Sequence, residues 1–186
     1  MADVAKLVAK ADEAAQKRNY DYAVELYLQA VTLEPDHAGA RKALRAVELK
    51  RATEMGGPAK PIAFLFSIPT RMVAALHGMT KNFDKQAIAL EGVMARDPRN
   101  TGVALKLAHA LYKAGSKNAA RAVFEAIPEW DGGSVAALKG AGQIAREQKE
   151  FPAALALFQR ARGVSPNDKD VNDAIRDISA TQSIGH

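Results

Sequence analysis

The stretch 135–168, VAALKGAGQIAREQKEFPAALALFQRARGVSPND, constrains this chain more than any other. Two helical apolar patterns follow one another in it, separated by the short polar break Lys149-Glu150. The first aligns Leu138, Ala141, Gly142 and Ala145 on one face. The second aligns Phe151, Ala154, Phe158 and Ala161 and stops at Ser165-Pro166-Asn167-Asp168. Alanine and glycine dominate both inner faces, so neither helix can form a core by itself. Small residues at those points let a neighbouring helix approach closely. A 34-residue helix–turn–helix unit of this kind is stable when stacked on copies of itself.

Copies are present. Aligned on the final proline, Asn19-Tyr20-Asp21 to Pro35-Asp36 matches Glu150-Phe151-Pro152 to Pro166-Asn167. Ala23, Tyr27 and Ala30 fall where Ala154, Phe158 and Ala161 fall. A third copy, Asn82 to Arg99, keeps Phe83, Leu90 and Val93 in register but has Gln86 in place of a small residue. A fourth, from Thr101 to about Ser134, carries Leu107, Ala108, Leu111, Gly115, Ala120 and Phe124, with its proline, Pro128, arriving early. Small residues at the eighth and twentieth positions, an aromatic at the twenty-fourth and proline at the thirty-second resemble the tetratricopeptide repeat family. The resemblance covers most of the chain. It implies an all-α, right-handed superhelical solenoid of antiparallel helix pairs, with about ten helices and a C-terminal capping helix.

Composition agrees with helix-on-helix packing. Of the 186 residues 48% are hydrophobic, much of that alanine, and 6% are aromatic, too few for a β-sandwich. The net charge of +5 permits an acidic partner without requiring one. With no cysteine, disulfide and thiolate chemistry are excluded. Met1-Ala2-Asp3-Val4-Ala5-Lys6 lacks the apolar core of a signal peptide, and no apolar run reaches the roughly 18 residues of a membrane span. A soluble, cytoplasmic protein without membrane insertion is expected.

Helices are predicted over about 3–17, 20–33, 38–55, 69–80, 83–96, 101–114, 117–127, 134–148, 151–163 and 169–180. The repeat fails after the third helix, at Gly56-Gly57-Pro58-Ala59-Lys60-Pro61, which punctuates any helix there. The apolar run Ile62–Ile68 follows. The expected organisation is therefore an N-terminal repeat plus half of a degenerate second one over 1–55 and an irregular apolar break over 56–68, with at most a short helix. Repeats and a capping helix then fill 69–180, and a disordered tail 181–186. Burial of Phe64 and Phe66 inside the array is favoured. If exposed, they form an apolar contact for a partner or a second copy.

Nothing points to catalysis. Gly132-Gly133-Ser134 lacks the partners of a phosphate loop, and His37, His77, His109 and His186 have no metal-ligand spacing. No catalytic, cofactor or metal residue is assigned, and an enzyme is not expected.

In the family, the first helix of each pair lines a concave surface. Carrying its exposed positions onto this chain gives Lys42, Arg71, His109 and Tyr112, then Lys139, Gln143 and Arg146, with Val8 and Asp12 in the first repeat. These read equally well as ordinary solvated residues or as a cationic groove for an acidic peptide, with Tyr112 as apolar anchor. One variant of the family grips a terminal carboxylate through lysines, arginine and asparagines. Here Val8 and Asp12, or Lys42, Ala46, Met72, Gly102 and Lys106, stand at those positions, so that clamp is not expected. Between 38 and 82 eight cations, including Arg41, Arg45 and Arg51, face only Glu48 and Glu54. That patch attracts nucleic acid but lacks interleaved aromatics, and a solvated helix face is the favoured reading. The implied function is a non-catalytic scaffold or adaptor binding a peptide or partner protein. A homo-oligomeric assembly module and, less favoured, a nucleic-acid-binding accessory protein are the alternatives.

Overall fold

The computed structural model describes residues 4–56 and 60–184, with side chains described except at 60–67 and 183–184. These residues form ten α-helices: α1 Val4–Gln16, α2 Tyr20–Leu33, α3 Ala38–Glu54, α4 Lys60–Met79, α5 Phe83–Met94, α6 Thr101–Lys113, α7 Lys117–Ala126, α8 Val135–Glu147, α9 Phe151–Val164 and α10 Lys169–Ile184. A 3-10 turn, Ile127–Glu129, follows α7, and the described residues include no strand. The fold is all-α, built of antiparallel helix pairs. It divides into two compact units, Met1–Val123 and Phe124–His186.

Helix starts follow local chemistry. Asn19, Asn82 and Asn100 each accept a hydrogen bond from a backbone N–H in the first turn of the helix they precede, at 3.4, 3.3 and 3.1 Å. At α3 the same service comes from His37, whose Nδ1 accepts from the Ala40 N–H at 3.1 Å. Such caps satisfy donors that the helix itself leaves open. The turns inside the pairs share a second device: Arg18, Lys81, Gly115 and Lys149 all adopt left-handed backbone, with φ of 58°, 56°, 91° and 62°. They occupy the same position of four repeats. The corresponding residue of the second repeat, Ala52, stays helical inside α3, which is where that repeat loses its turn.

In the first unit Ala11, Ala14, Ala23, Tyr27, Ala30, Ala40 and Leu44 are buried at the junction of α1, α2 and α3. Further along, α5 and α6 bury Leu90, Val93, Met94, Leu107 and Leu111. In the second unit α8, α9 and α10 enclose Leu138, Ala145, Ala154, Phe158, Ala161, Val171 and Ile178. A β-carbon at Gly142 would meet the Phe158 ring at 3.0 Å, so the eighth-position glycine sets how near the ring can lie. At Gln86 the small residue has moved to the partner helix. Gly78 faces it, and a β-carbon there would stand 2.5 Å from the Gln86 amide nitrogen.

Two expectations are corrected. Residues 60–68 are helical and continue through Pro69 as the 20-residue α4, where an irregular stretch with at most a short helix was expected. Pro61 falls in the first turn, where proline favours a helix, and the run from Ile62 to Ile68 contains no breaker. An internal proline costs about 3 kcal/mol, which α4 tolerates while it packs against α5. The expected tail is helical as far as Ile184, because Thr181 donates to the Asp177 carbonyl at 2.8 Å and no glycine intervenes before 185. α7 ends at Ala126, close to the expected limit, and the early Pro128 follows it in the 3-10 turn.

Candidate protein-interaction surfaces

The sequence-predicted groove residues fall into both units. In the first, Lys42 is exposed on α3, Arg71 is half-buried on α4, and α6 presents an exposed His109 and a half-buried Tyr112. Burial first, and the nearby Lys113 second, lower the pKa of His109. Both influences favour the neutral imidazole. The Lys117 ammonium lies 5.6 Å from the Tyr112 ring centroid, and Lys113 lies 5.3 Å from that of Phe83. Asp12 of α1 accepts the hydroxyl proton of buried Tyr27 and is committed to the fold. That bond, after burial, raises the Tyr27 pKa.

In the second unit the predicted cations are already paired. Lys139 holds Asp168 at 3.1 Å and Asp170 at 2.7 Å, and Arg146 lies 3.7 Å from Asp177. Gln143 donates to Glu147 at 3.2 Å. The hydrogen bond from Lys139 to Asp170 is the main cause raising the Lys139 pKa, while the Val171 N–H lowers that of Asp168 most. These residues tie α8 to the start and middle of α10. Sequence spacing placed them on one face but could not show that acids of the next helix lie beside them.

The expected cationic patch over 38–82 is not a solvated face. Arg41 and Arg45 are 2% exposed, and with Glu48 and Glu91 they form a buried network between α3 and α5. Arg41 and Arg45 each donate to one oxygen of the Glu91 carboxylate. Arg41 also donates to the Pro35 carbonyl at 3.1 Å, and Arg45 pairs with Glu48 at 2.8 Å. Burial pushes the Glu48 carboxyl up to about 8 against the pull of Arg45, and burial lowers the Arg41 pKa. Arg51 is engaged as well, with Asp21 at 3.1 Å and with the Ala95 carbonyl. Long-range pairing with Glu91, 46 to 50 residues away, removed these arginines from the surface. Beside Arg41 and Glu91 a cavity of about 210 Å³ opens between α2 and α5, lined by Leu28, Val31, Ala87, Ile88 and Leu111.

A groove of about 430 Å³ between α4 and α5 is floored by Pro69, Val73, Ile88 and Ala89, with His77 and Lys85 at its rim. Beside it Met72, Leu76 and Met79 stand in solvent. Sequence reading passed over this face. The apolar 72, 73, 76, 79 spacing is legible, but such a stripe reads as an inner face, and only the packing of α4 shows that it stands in solvent. The side chains of Phe64 and Phe66 lie outside the described residues. Among those residues no cluster of His, Asp or Glu could hold a metal ion, and no helix is long and apolar enough to cross a membrane.

Residues 87–144 match the family model for the tetratricopeptide repeat. Over those residues the chain is similar to the tetratricopeptide repeat. Solved structures with the same fold include the first such domain of Spaghetti (RPAP3) bound to the HSP90 peptide SRMEEVD. That likeness has a TM-score of 0.57 at 14% identity and covers 63% of this chain and 93% of that one. The P58(IPK) domain gives a TM-score of 0.61 at 11% identity, over 98% of this chain and 66% of its own. YrrB, described as having an unusual peptide-binding site, gives 0.53 at 17% identity, over 94% and 92%. No curated protein matches the chain in sequence. The match at 87–144 spans the stretch from α5 to α8, which holds most of the third copy, the fourth, and the start of the unit 135–168.

Proposed function

We propose that the chain is a non-catalytic, cytoplasmic scaffold or adaptor that binds a peptide or partner protein on the outer faces of α3 and α6 in its first unit. The observation that carries this is the division of those helices. Leu44 on α3 and Leu107 and Leu111 on α6 are buried, while Lys42 and His109 of the same helices face solvent. Tyr112 adds a half-buried aromatic edge, the type of anchor that dominates peptide interfaces. A preformed helical surface lowers the ordering cost for an incoming segment. Spaghetti's domain holds a peptide and YrrB is described with a peptide-binding site, which supports the same mode here. The residues that would grip a terminal carboxylate are replaced by Val8, Asp12 and Ala46, so an HSP90-type tail is not the ligand proposed.

Acidic sequence is favoured by Lys42 and Arg71. It is not favoured by Lys139 or Arg146, whose charges are offset by Asp168, Asp170 and Asp177. The test is affinity capture from native cell extract with the wild type and with Lys42→Glu combined with His109→Glu. Both sites are exposed, so helical circular dichroism should be unchanged while partner capture is lost. Equal capture by both proteins sinks this face as the binding site.

A further inference from the structure

The last three turns of α4 are inverted. From Pro69 to Met79 the exposed residues are Pro69, Met72, Val73, Ala75, Leu76 and Met79, all of them apolar. The polar residues of the same span, Thr70, Arg71 and His77, are half-buried on the side facing the fold, beside buried Ala74. A helix covered only by water carries the opposite pattern. Met72 is 68% exposed, Leu76 58% and Met79 82%, and with Val73 and Ile88 they make five of the nine exposed large apolar side chains among the described residues. Scattered exposed hydrophobics need no explanation, but a contiguous stripe does. Across the α4–α5 groove Ile88 continues the stripe onto α5.

We propose that the α4–α5 face, with Val73 and Ile88 lining the groove and Met72, Leu76 and Met79 exposed beside it, is a docking surface for an acidic amphipathic helix of a partner protein. The occupant follows from shape and charge. A groove between two helices receives the ridge of a third, read as apolar anchors at helical spacing. Two methionines give an adaptable surface, since the unbranched thioether fits irregular contacts. From Lys60 to Met79 there is no aspartate or glutamate, and Lys85 lines the groove. Asp84 lines the cavity beside Arg41 and Glu91 and, with Lys81, a separate pocket at the start of α5. A second copy would bring the same acid-free, cationic helix against itself in a self-complementary contact, whereas carboxylates flanking the apolar ridge complement Lys85. This surface is separate from the α3 and α6 positions above and does not depend on them.

Selection of displayed random peptides on the intact chain, with counter-selection on Leu76→Glu, tests it. Leu76 is exposed, so that variant keeps its fold, which circular dichroism checks. Retained peptides should carry aspartate or glutamate beside apolar residues at i, i+3 or i+4, and i+7. They should shift the methyl-13C resonances of Met72 and Met79 and leave that of buried Met94 in place. They should bind Lys85→Glu at least tenfold more weakly. Five outcomes overturn the proposal: no retained peptide, neutral or basic peptides, equal binding to Leu76→Glu, Met72 and Met79 shifts that depend on protein concentration alone, or shifts produced only by phosphatidylglycerol–phosphatidylcholine vesicles. The fourth would assign the face to a second copy and the fifth to a membrane surface. Peptides lost on Lys42→Glu but kept on Leu76→Glu report the other face, so the two proposals fail separately.

Discussion

Gly140 of α8 lies so close to Phe124 that a β-carbon there would stand 2.7 Å from the ring. Phe124 is 2% exposed and has little room to withdraw. Gly140→Ala should therefore destabilise the second unit by about 1–2 kcal/mol, as overpacking of roughly 1–3 kcal/mol outweighs the ~1 kcal/mol gained in helix propensity. Gly78→Ala meets only the mobile end of Gln86 and should be neutral or stabilising by up to about 1 kcal/mol. Urea unfolding of both variants decides, and the reverse order would discount the aromatic contact.

The buried network between α3 and α5 should respond asymmetrically to substitution. Glu91→Ala leaves two buried guanidinium groups without their shared carboxylate and should cost about 3–5 kcal/mol. Replacing the four residues together by Met, Met, Leu and Leu should cost far less, because no charge is then left unpaired in the interior. A quadruple variant as unstable as Glu91→Ala would show that the ion pairs themselves stabilise the fold.

Glu48 links stability to pH. Its carboxyl is pushed up to about 8 in the folded chain from an ordinary 4.5, so the folded state holds a proton that the unfolded state has released between those values. By linkage this contribution is fully present below about pH 4.5 and is lost as pH rises towards 8. Relative to Glu48→Gln, which carries no titrating proton, the wild type should weaken progressively from pH 5 to pH 8. Parallel denaturation midpoints across that range would refute the assignment.

Lys149 occupies left-handed backbone in the turn between α8 and α9, with φ of 62° and its side chain exposed. Glycine loses nothing sterically there, so Lys149→Gly should stabilise the chain by about 0.5–1 kcal/mol. A glycine at an exposed position inside α9, such as Ala156, should destabilise by about 1 kcal/mol. Thermal unfolding of the two variants gives the comparison.

Lys139→Met removes the cation that Asp168 and Asp170 share. Amide exchange in the first turns of α10 should accelerate while α1 to α3 are unchanged. Asp168 has a depressed pKa, so its contribution is present above the unfolded value of 3.8 and is lost as pH falls through the lower folded one. The variant should therefore show a shallower acid loss than the wild type. An identical acid limb would remove Lys139 from that linkage.

The second repeat shows where reading from sequence reaches its limit. Its irregularity was legible, since Gly56 and the prolines at 58 and 61 stand where the second helix of that repeat should begin. That α4 forms a continuous helix through Pro69 was not, because propensity forbids what packing against α5 sustains.

By itself the sequence determined the fold class, the helix spans other than α4 and the end of α10, and the inner faces. Those are properties of local periodicity, caps and small-residue spacing, and Ala23, Tyr27, Ala154 and Phe158 are buried where spacing placed them. Only the tertiary structure decided which charges are available to a partner. Lys42 stays in solvent, Lys139 is held by acids of the next helix, and Arg41 and Arg45 vanish beneath Glu91. Residue type and helical register are the same in each case. The difference lies in what distant segments bring alongside, and contacts across 30 to 50 residues leave no local trace in the chain.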